Sequence, residues 1–102
     1  MKYTKLEKTG LDVSRICLGC MGFGQGEVGY HPWAISEQDS RLVIQKALDL
    51  GINFFDTANV YSYGTSEEYV GRALKDLARR DEIVLATKVF NRMRSQPETV
   101  AN

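Results

Sequence analysis

Three short apolar runs divide the chain, and two helical stripes separate them. Ile16, Cys17, Leu18 and Gly19 form the first run, Ile52 to Phe55 the second, and Ile83, Val84, Leu85 and Ala86 the third. Short apolar runs bounded by glycine or charge predict buried strands. The first helix is expected to start at Ser36. Ser36 with Asp39 fits a capping pattern in which the hydroxyl accepts from an orphan N–H. Val43, Ala47 and Leu50 mark one face of that helix, Leu42 and Ile44 widen it, and Gly51 supplies the stop. Thr65 with Glu68 predicts a second cap, and Val70, Ala73, Leu74 and Leu77 a second stripe. Glu67 and Glu68 complement the positive end of this helix, and Arg79 and Arg80 the negative end. Upstream, residues 3–6 and 11–14 flank Lys8-Thr9-Gly10, which predicts a hairpin with Gly10 at positive φ. The glycine-rich stretch from Gly22 to Gly29, with His31, Pro32 and Trp33 after it, reads as a loop.

The order is a hairpin (3–14), a β-α-β-α-β run (15–89) and a polar tail (90–102). Strands joined through a helix within one sheet are parallel, with right-handed crossovers. All three runs are apolar on both faces and call for cover on both sides. Two helices cover only one side, and a three-stranded parallel sheet leaves two open edges. The expected fold is α/β and incomplete as a domain, a part of a barrel or of a longer doubly wound sheet.

Charge and composition remove several classes. The 102 residues carry 13 basic and 13 acidic side chains, for a formal net charge of +0. No basic patch stands out, so no nucleic-acid partner is expected. No apolar run reaches the roughly 18 residues of a membrane span. Met1-Lys2-Tyr3-Thr4-Lys5 lacks the apolar stretch of a secretory leader, so a cytoplasmic location is expected, with no membrane partner. Cys17 and Cys20 have C-x-x-C spacing, but positions three apart in a strand point to opposite faces. Zinc would need two more ligands, which the lone His31 cannot supply, and no metal is expected. Gly24-Gln25-Gly26-Glu27-Val28-Gly29 matches G-x-G-x-x-G in letters only, because no helix opens directly after it.

The candidate chemistry lies where apolar strands stop at charges. Asp56 follows Phe54-Phe55, and Lys88 follows Leu85-Ala86-Thr87. Paired strands lie about 4.8 Å apart, so a carboxylate and an ammonium at adjacent ends can meet. Tyr61, five residues past Asp56, can swing back over the same spot. Taken singly, Asp56 also suits a turn and Lys88 a solvated strand end. Tyr61 and Tyr63 are both loop aromatics that packing alone would explain. It is the set of three that favours a site.

The run Asn53-Phe54-Phe55-Asp56-Thr57-Ala58-Asn59-Val60-Tyr61, followed by Gly64-Thr65-Ser66-Glu67-Glu68 and Val70-Gly71-Arg72-Ala73-Leu74, closely resembles the aldo-keto reductase signature. Leu85-Ala86-Thr87-Lys88-Val89 is similar to that family's lysine strand, and Leu18-Gly19-Cys20-Met21-Gly22-Phe23-Gly24 to its first strand and loop. The resemblance covers essentially the whole chain. It implies the N-terminal portion of a (β/α)₈ TIM barrel, with the hairpin plugging the barrel floor. Such barrels run to roughly 250 residues, with active sites at the C-terminal strand ends. It also implies reduction of aldehydes or ketones with NADPH. Asp56, Tyr61 and Lys88 would be three of four catalytic positions. Cys20, Met21 and Asp56 would meet the nicotinamide end. The fourth position, a histidine ending the next strand, has no counterpart here, since His31 lies in the first loop. This chain alone is therefore expected to be inactive.

On that reading a phenol donates a proton as charge builds on the carbonyl oxygen. Free tyrosine titrates near 10, high for this task. A nearby ammonium favours the phenolate, and Lys88 is the candidate, held charged by Asp56. Two other readings stay open from the residues. One is a non-catalytic truncated barrel piece that assembles through its open edges. The other is a doubly wound nucleotide-binding domain, which requires helices on both sheet faces. Substrate identity and oligomeric state are not legible in the sequence.

Overall fold

The computed structural model describes residues 1–25 and 33–90. The expectations for His31, for most of the G-x-G-x-x-G match and for the tail from Asn91 lie outside the described residues. Strands β1 (Tyr3–Lys5) and β2 (Asp12–Ser14) form the predicted antiparallel hairpin, with Tyr3 opposite Ser14. Gly10 takes φ +80°, and Glu7 also enters the left-handed region at φ +53°. Then come β3 (Leu18–Gly19), α1 (Glu37–Asp49), β4 (Phe54–Asp56), α2 (Thr65–Leu77) and β5 (Val84–Ala86). The three later strands form one parallel sheet in the order β3-β4-β5.

The hairpin is tied to the base of β4 by one asparagine. Asn53 Oδ1 accepts from Ser14 N at 2.7 Å, its Nδ2 donates to Asp12 O at 2.9 Å, and its own N–H donates to Ser14 Oγ. Tyr3 OH adds a 2.6 Å bond to Gly51 O. Gly51 sits at φ +91°, and a Cβ there would lie 2.9 Å from that hydroxyl. This one glycine both ends α1 and admits the hairpin.

Phe55 lies at the centre of the core and is fully buried. Around it pack Ile44 and Ala47 from α1, Val70, Ala73 and Leu74 from α2, and Cys20 from the end of β3. Both helices thus contribute to a single core on the Phe55 face of the sheet. A doubly wound sheet would place helices on both faces. Phe54, which alternates with Phe55, is only half-buried, as are both Val84 and Leu85 on β5. Two ion pairs brace the helices against each other: Arg72 grips both oxygens of Glu37 at 2.6 and 3.0 Å, and Arg41 reaches Asp76 at 3.0 Å.

Three local expectations are corrected. The first buried strand was expected over residues 16–19, but pairing begins at Leu18, and Ile16 is 58% exposed. On α1 the buried residues are Ser40, Ile44 and Ala47, whereas Val43 and Leu50 of the predicted face are exposed. Ser40 can be buried because its hydroxyl donates to Ser36 O at 2.6 Å. Thr65 does not cap α2. The cap position is Gly64 at φ +99°, with no side-chain cap bond, and Thr65 is already helical. The cap at Ser36 is present as expected, its hydroxyl accepting from Asp39 N at 3.2 Å.

Candidate active site

The parallel ladder continues beyond the strand ends. Thr57 N donates to Ala86 O and Asn59 N to Lys88 O, at 2.9 and 3.0 Å. This zipper carries Lys88 alongside the residues after Asp56, although Lys88 lies two positions past β5. Its ammonium donates to Asp56 Oδ1 and Oδ2 at 2.9 and 3.0 Å, and to Thr57 O at 2.8 Å. The Tyr61 hydroxyl lies 3.3 Å away and accepts from the same nitrogen. The ammonium also sits 5.0 Å from the centre of the Tyr61 ring, within cation–π range. Asp56, Tyr61 and Lys88 therefore converge on one rim.

The Lys88 ammonium is held above its ordinary titration range. The hydrogen bond to the Asp56 carboxylate is the main cause; burial opposes it and the Tyr61 hydroxyl adds to it. Lysine offers three N–H donors and no acceptor, so the two Asp56 oxygens share one hydrogen while Thr57 O and the Tyr61 hydroxyl take the others. Tyr61 can therefore only accept from it, and the phenol keeps its own hydrogen to donate outward.

Tyr61 is placed by an unusual turn. Residues Tyr61–Gly64 form a kinked turn in which Ser62 and Tyr63 take left-handed φ values of +48° and +50°. The first loop docks against this turn. Gly24, at φ +143°, approaches so closely that a Cβ on it would lie 2.5 Å from Ser62 Cβ. Gln25 N donates to Thr65 Oγ1, which in turn donates to Ser62 O, both at 2.8 Å.

The two residues expected beside the cofactor fare differently. Met21 is 40% exposed, whereas Cys20 is fully buried and its thiol donates to Leu18 O. Cys20 offers the rim only its backbone, through the N–H that donates to Asp56 O at 2.8 Å. Burial pushes its thiol up to about 12, which keeps it neutral. Cys17 is exposed, in contrast to Cys20. Among the described residues no cluster of His, Cys, Asp or Glu is arranged to hold a metal.

Sequence reasoning missed a set of hydroxyls. Thr57 and Ser66 lie with their oxygens 2.8 Å apart, and Ser66 donates to Cys20 O at 2.7 Å. Thr87 donates to Glu67 at 2.7 Å, one residue before Lys88. The only sequence signal was small hydroxyl residues after strand ends and in the first turn of a helix, which is too common to single them out.

Comparisons with known proteins show the family to which the chain belongs. The model of the Aldo/keto reductase family matches residues 15–101. Over 91 residues the chain is 43% identical to the versiconal hemiacetal acetate reductase of Aspergillus parasiticus, covering 88% of this chain and 26% of that protein. Over 89 residues it is 40% identical to the aldo-keto reductase YhdN of Bacillus subtilis, covering 86% and 25%. A solved aldo-keto reductase from Bacillus halodurans, in its holo form, superposes with a TM-score of 0.76 at 39% identity, covering 97% of this chain and 29% of that one. The chain spans about a quarter of the length of the curated relatives it matches.

Proposed function

This chain belongs to the aldo/keto reductase family, an oxidoreductase family, and from that premise we propose that it supplies three catalytic residues for reducing an aldehyde or ketone to an alcohol with NADPH. The observation that carries this reading is the shared rim, where one ammonium reaches the Asp56 carboxylate at 2.9 Å and the Tyr61 hydroxyl at 3.3 Å.

The residues suit the nicotinamide end of the cofactor. A carboxylate has about four lone-pair positions. Lys88 engages both Asp56 oxygens, yet the side chain stays 38% exposed. Asp56 can therefore accept from a ribose hydroxyl as well. Met21 offers an exposed apolar side chain one residue past Cys20, and Cys20 contributes backbone only. When bound, NADPH supplies the hydride that the carbonyl carbon receives. Charge then grows on the substrate oxygen, and the Tyr61 O–H donates its proton there. The phenolate left behind faces a fixed ammonium, which stabilises it without reorganisation. Asp56 holds that ammonium in position and keeps it protonated.

The activity is proposed for the whole protein, in the cytoplasm, with a small carbonyl compound as substrate. The chain by itself is expected to turn over little. The test grafts residues 1–102 in place of the matching quarter of the Bacillus subtilis relative and follows NADPH oxidation with 4-nitrobenzaldehyde. Tyr61→Phe in the graft should lower the rate by about 10²–10⁴-fold, the usual worth of a general acid. An active graft in which Tyr61→Phe leaves the rate intact would show the reading to be wrong.

A second reading, a non-catalytic assembly module, draws on a different feature. Leu18, Leu42, Val43, Ala47, Leu50 and Ile52 line an apolar groove of about 390 Å³. Leu42 and Leu50 are 66% and 54% exposed, and β3 and β5 are open sheet edges that favour strand addition. A single monomeric boundary in sedimentation, with cooperative melting, would count against it.

A further inference from the structure

We propose that Ser66, in the first turn of α2, is a positioning residue for Lys88, fixing the backbone on which the Asp56–Lys88 pair is built. Its single hydroxyl hydrogen goes to Cys20 O at 2.7 Å. The 2.8 Å contact with Thr57 Oγ1 must then be a bond that Thr57 donates. Ser66 and Cys20 are fully buried and Thr57 is 2% exposed.

The residues Ser66 joins are the ones that anchor the ion pair. Cys20 N donates to Asp56 O at 2.8 Å, and Thr57 O accepts from the Lys88 ammonium at 2.8 Å. A closed circuit therefore runs from Cys20 through Asp56 and Thr57 to Ser66 and back to Cys20. Without the Ser66 hydroxyl, β3 and the end of β4 lose their only side-chain tie to α2 at this level among the hydrogen bonds described. The segment carrying the Thr57 carbonyl that receives the ammonium then keeps its backbone bonds, Thr57 N to Ala86 O and Cys20 N to Asp56 O, but loses its side-chain anchor on α2. Glu67, the next residue, accepts from Thr87 beside Lys88. Successive residues of one helical turn thus grip the ends of neighbouring strands.

A buried hydroxyl that merely satisfies a carbonyl is common. What sets this one apart is its place in the circuit that carries a Lys88 acceptor. Its value for catalysis rests on the role proposed for Lys88 above; its effect on Lys88 does not.

The experiment titrates Lys88 in the 102-residue chain by NMR with isotope-labelled lysine, with Lys88→Met to identify its signal and melting temperature measured alongside. Ser66→Ala removes no charge. Asp56, Tyr61, Cys17 and Cys20, the groups coupled electrostatically to Lys88, all remain, so the titration moves only if the contacts of the ammonium move. Lys88 should titrate lower in Ser66→Ala than in the parent chain and return towards the parent value in Ser66→Thr, which keeps the hydroxyl. Thr57→Val, close in shape and leaving the Ser66–Cys20 bond intact, should give a smaller downward shift. A lower melting temperature with an unmoved Lys88 titration in Ser66→Ala would overturn the proposal. If Ser66→Ala does not fold, an unmoved titration in Thr57→Val overturns it instead. Failure of the reductase reading appears separately, as a graft indifferent to Tyr61→Phe while Lys88 still responds to Ser66.

Discussion

Ser62 is held against its own preference. A non-glycine residue in the left-handed region costs about 1–2 kcal/mol, and here Ser62 and Tyr63 both adopt it. The Ser62 hydroxyl is also buried with no hydrogen-bond partner, a further cost with no return. Ser62→Gly should therefore raise stability by about 1 kcal/mol, after the entropy glycine loses on folding is counted, as read by urea unfolding. Gly24→Ala should do the reverse, since its Cβ would collide with Ser62. The two cysteines differ on the same scale. Iodoacetamide at neutral pH should label Cys17 and leave Cys20 unmodified in the native chain, as mass spectrometry would show; burial and a thiol titrating near 12 both protect Cys20. Lys88 carries a sign that can be checked. Its folded titration point is raised above 10.5, so its stabilising contribution is complete below 10.5 and is lost as pH rises through the folded value. Asp56→Asn should remove most of that alkaline dependence in unfolding measured against pH.

The helices show where periodicity is ambiguous. On α1, the exposed stripe Val43 and Leu50 and the buried stripe Ser40, Ile44 and Ala47 overlap around the cylinder, and hydrophobicity alone favours the wrong one. Close approach to α2 selects small residues, and a self-bonded serine serves as well as an alanine. On α2 the stripe of Val70, Ala73 and Leu74 had no rival and was read correctly. Its start was misread because the turn carrying Tyr61 leads directly into it, leaving Thr65 to bridge Ser62 and Gln25. Where the helices meet, Arg72 holds the Glu37 carboxyl below its ordinary value of 4.5, chiefly through their hydrogen bonds. That contribution is present above 4.5 and is lost as pH falls through the folded value. Because the pair is exposed that contribution is small, so Glu37→Gln should lower neutral stability slightly and flatten the acid limb of the stability profile by the same small amount, as read by urea unfolding against pH.

Taken as a whole, the chain buries one side of its sheet and leaves the other half-covered. Leu42 and Leu50 are exposed where a packed helix was expected, and they share a groove with Leu18 of β3. Contiguous apolar surface of this kind favours association. The double substitution Leu42→Lys with Leu50→Lys should shift the chain towards monomer in sedimentation without disturbing the Lys88 titration, because the groove is separate from the rim.

The succession of elements, their parallel order and the trio Asp56, Tyr61 and Lys88 could all be read along the chain. Strand runs, caps and charges at strand ends are local, and the recognised motif fixed their spacing. Three matters were settled only by folding: which stripe of α1 turns inward, that the Cys20 side chain points into the core, and that Ser66 ties Cys20 to Thr57. Each depends on surfaces brought together from distant parts of the chain, as in the Ser66–Cys20 bond across 46 positions. No short window of residues carries the free energy of such an approach, since it comes from burying both partners at once.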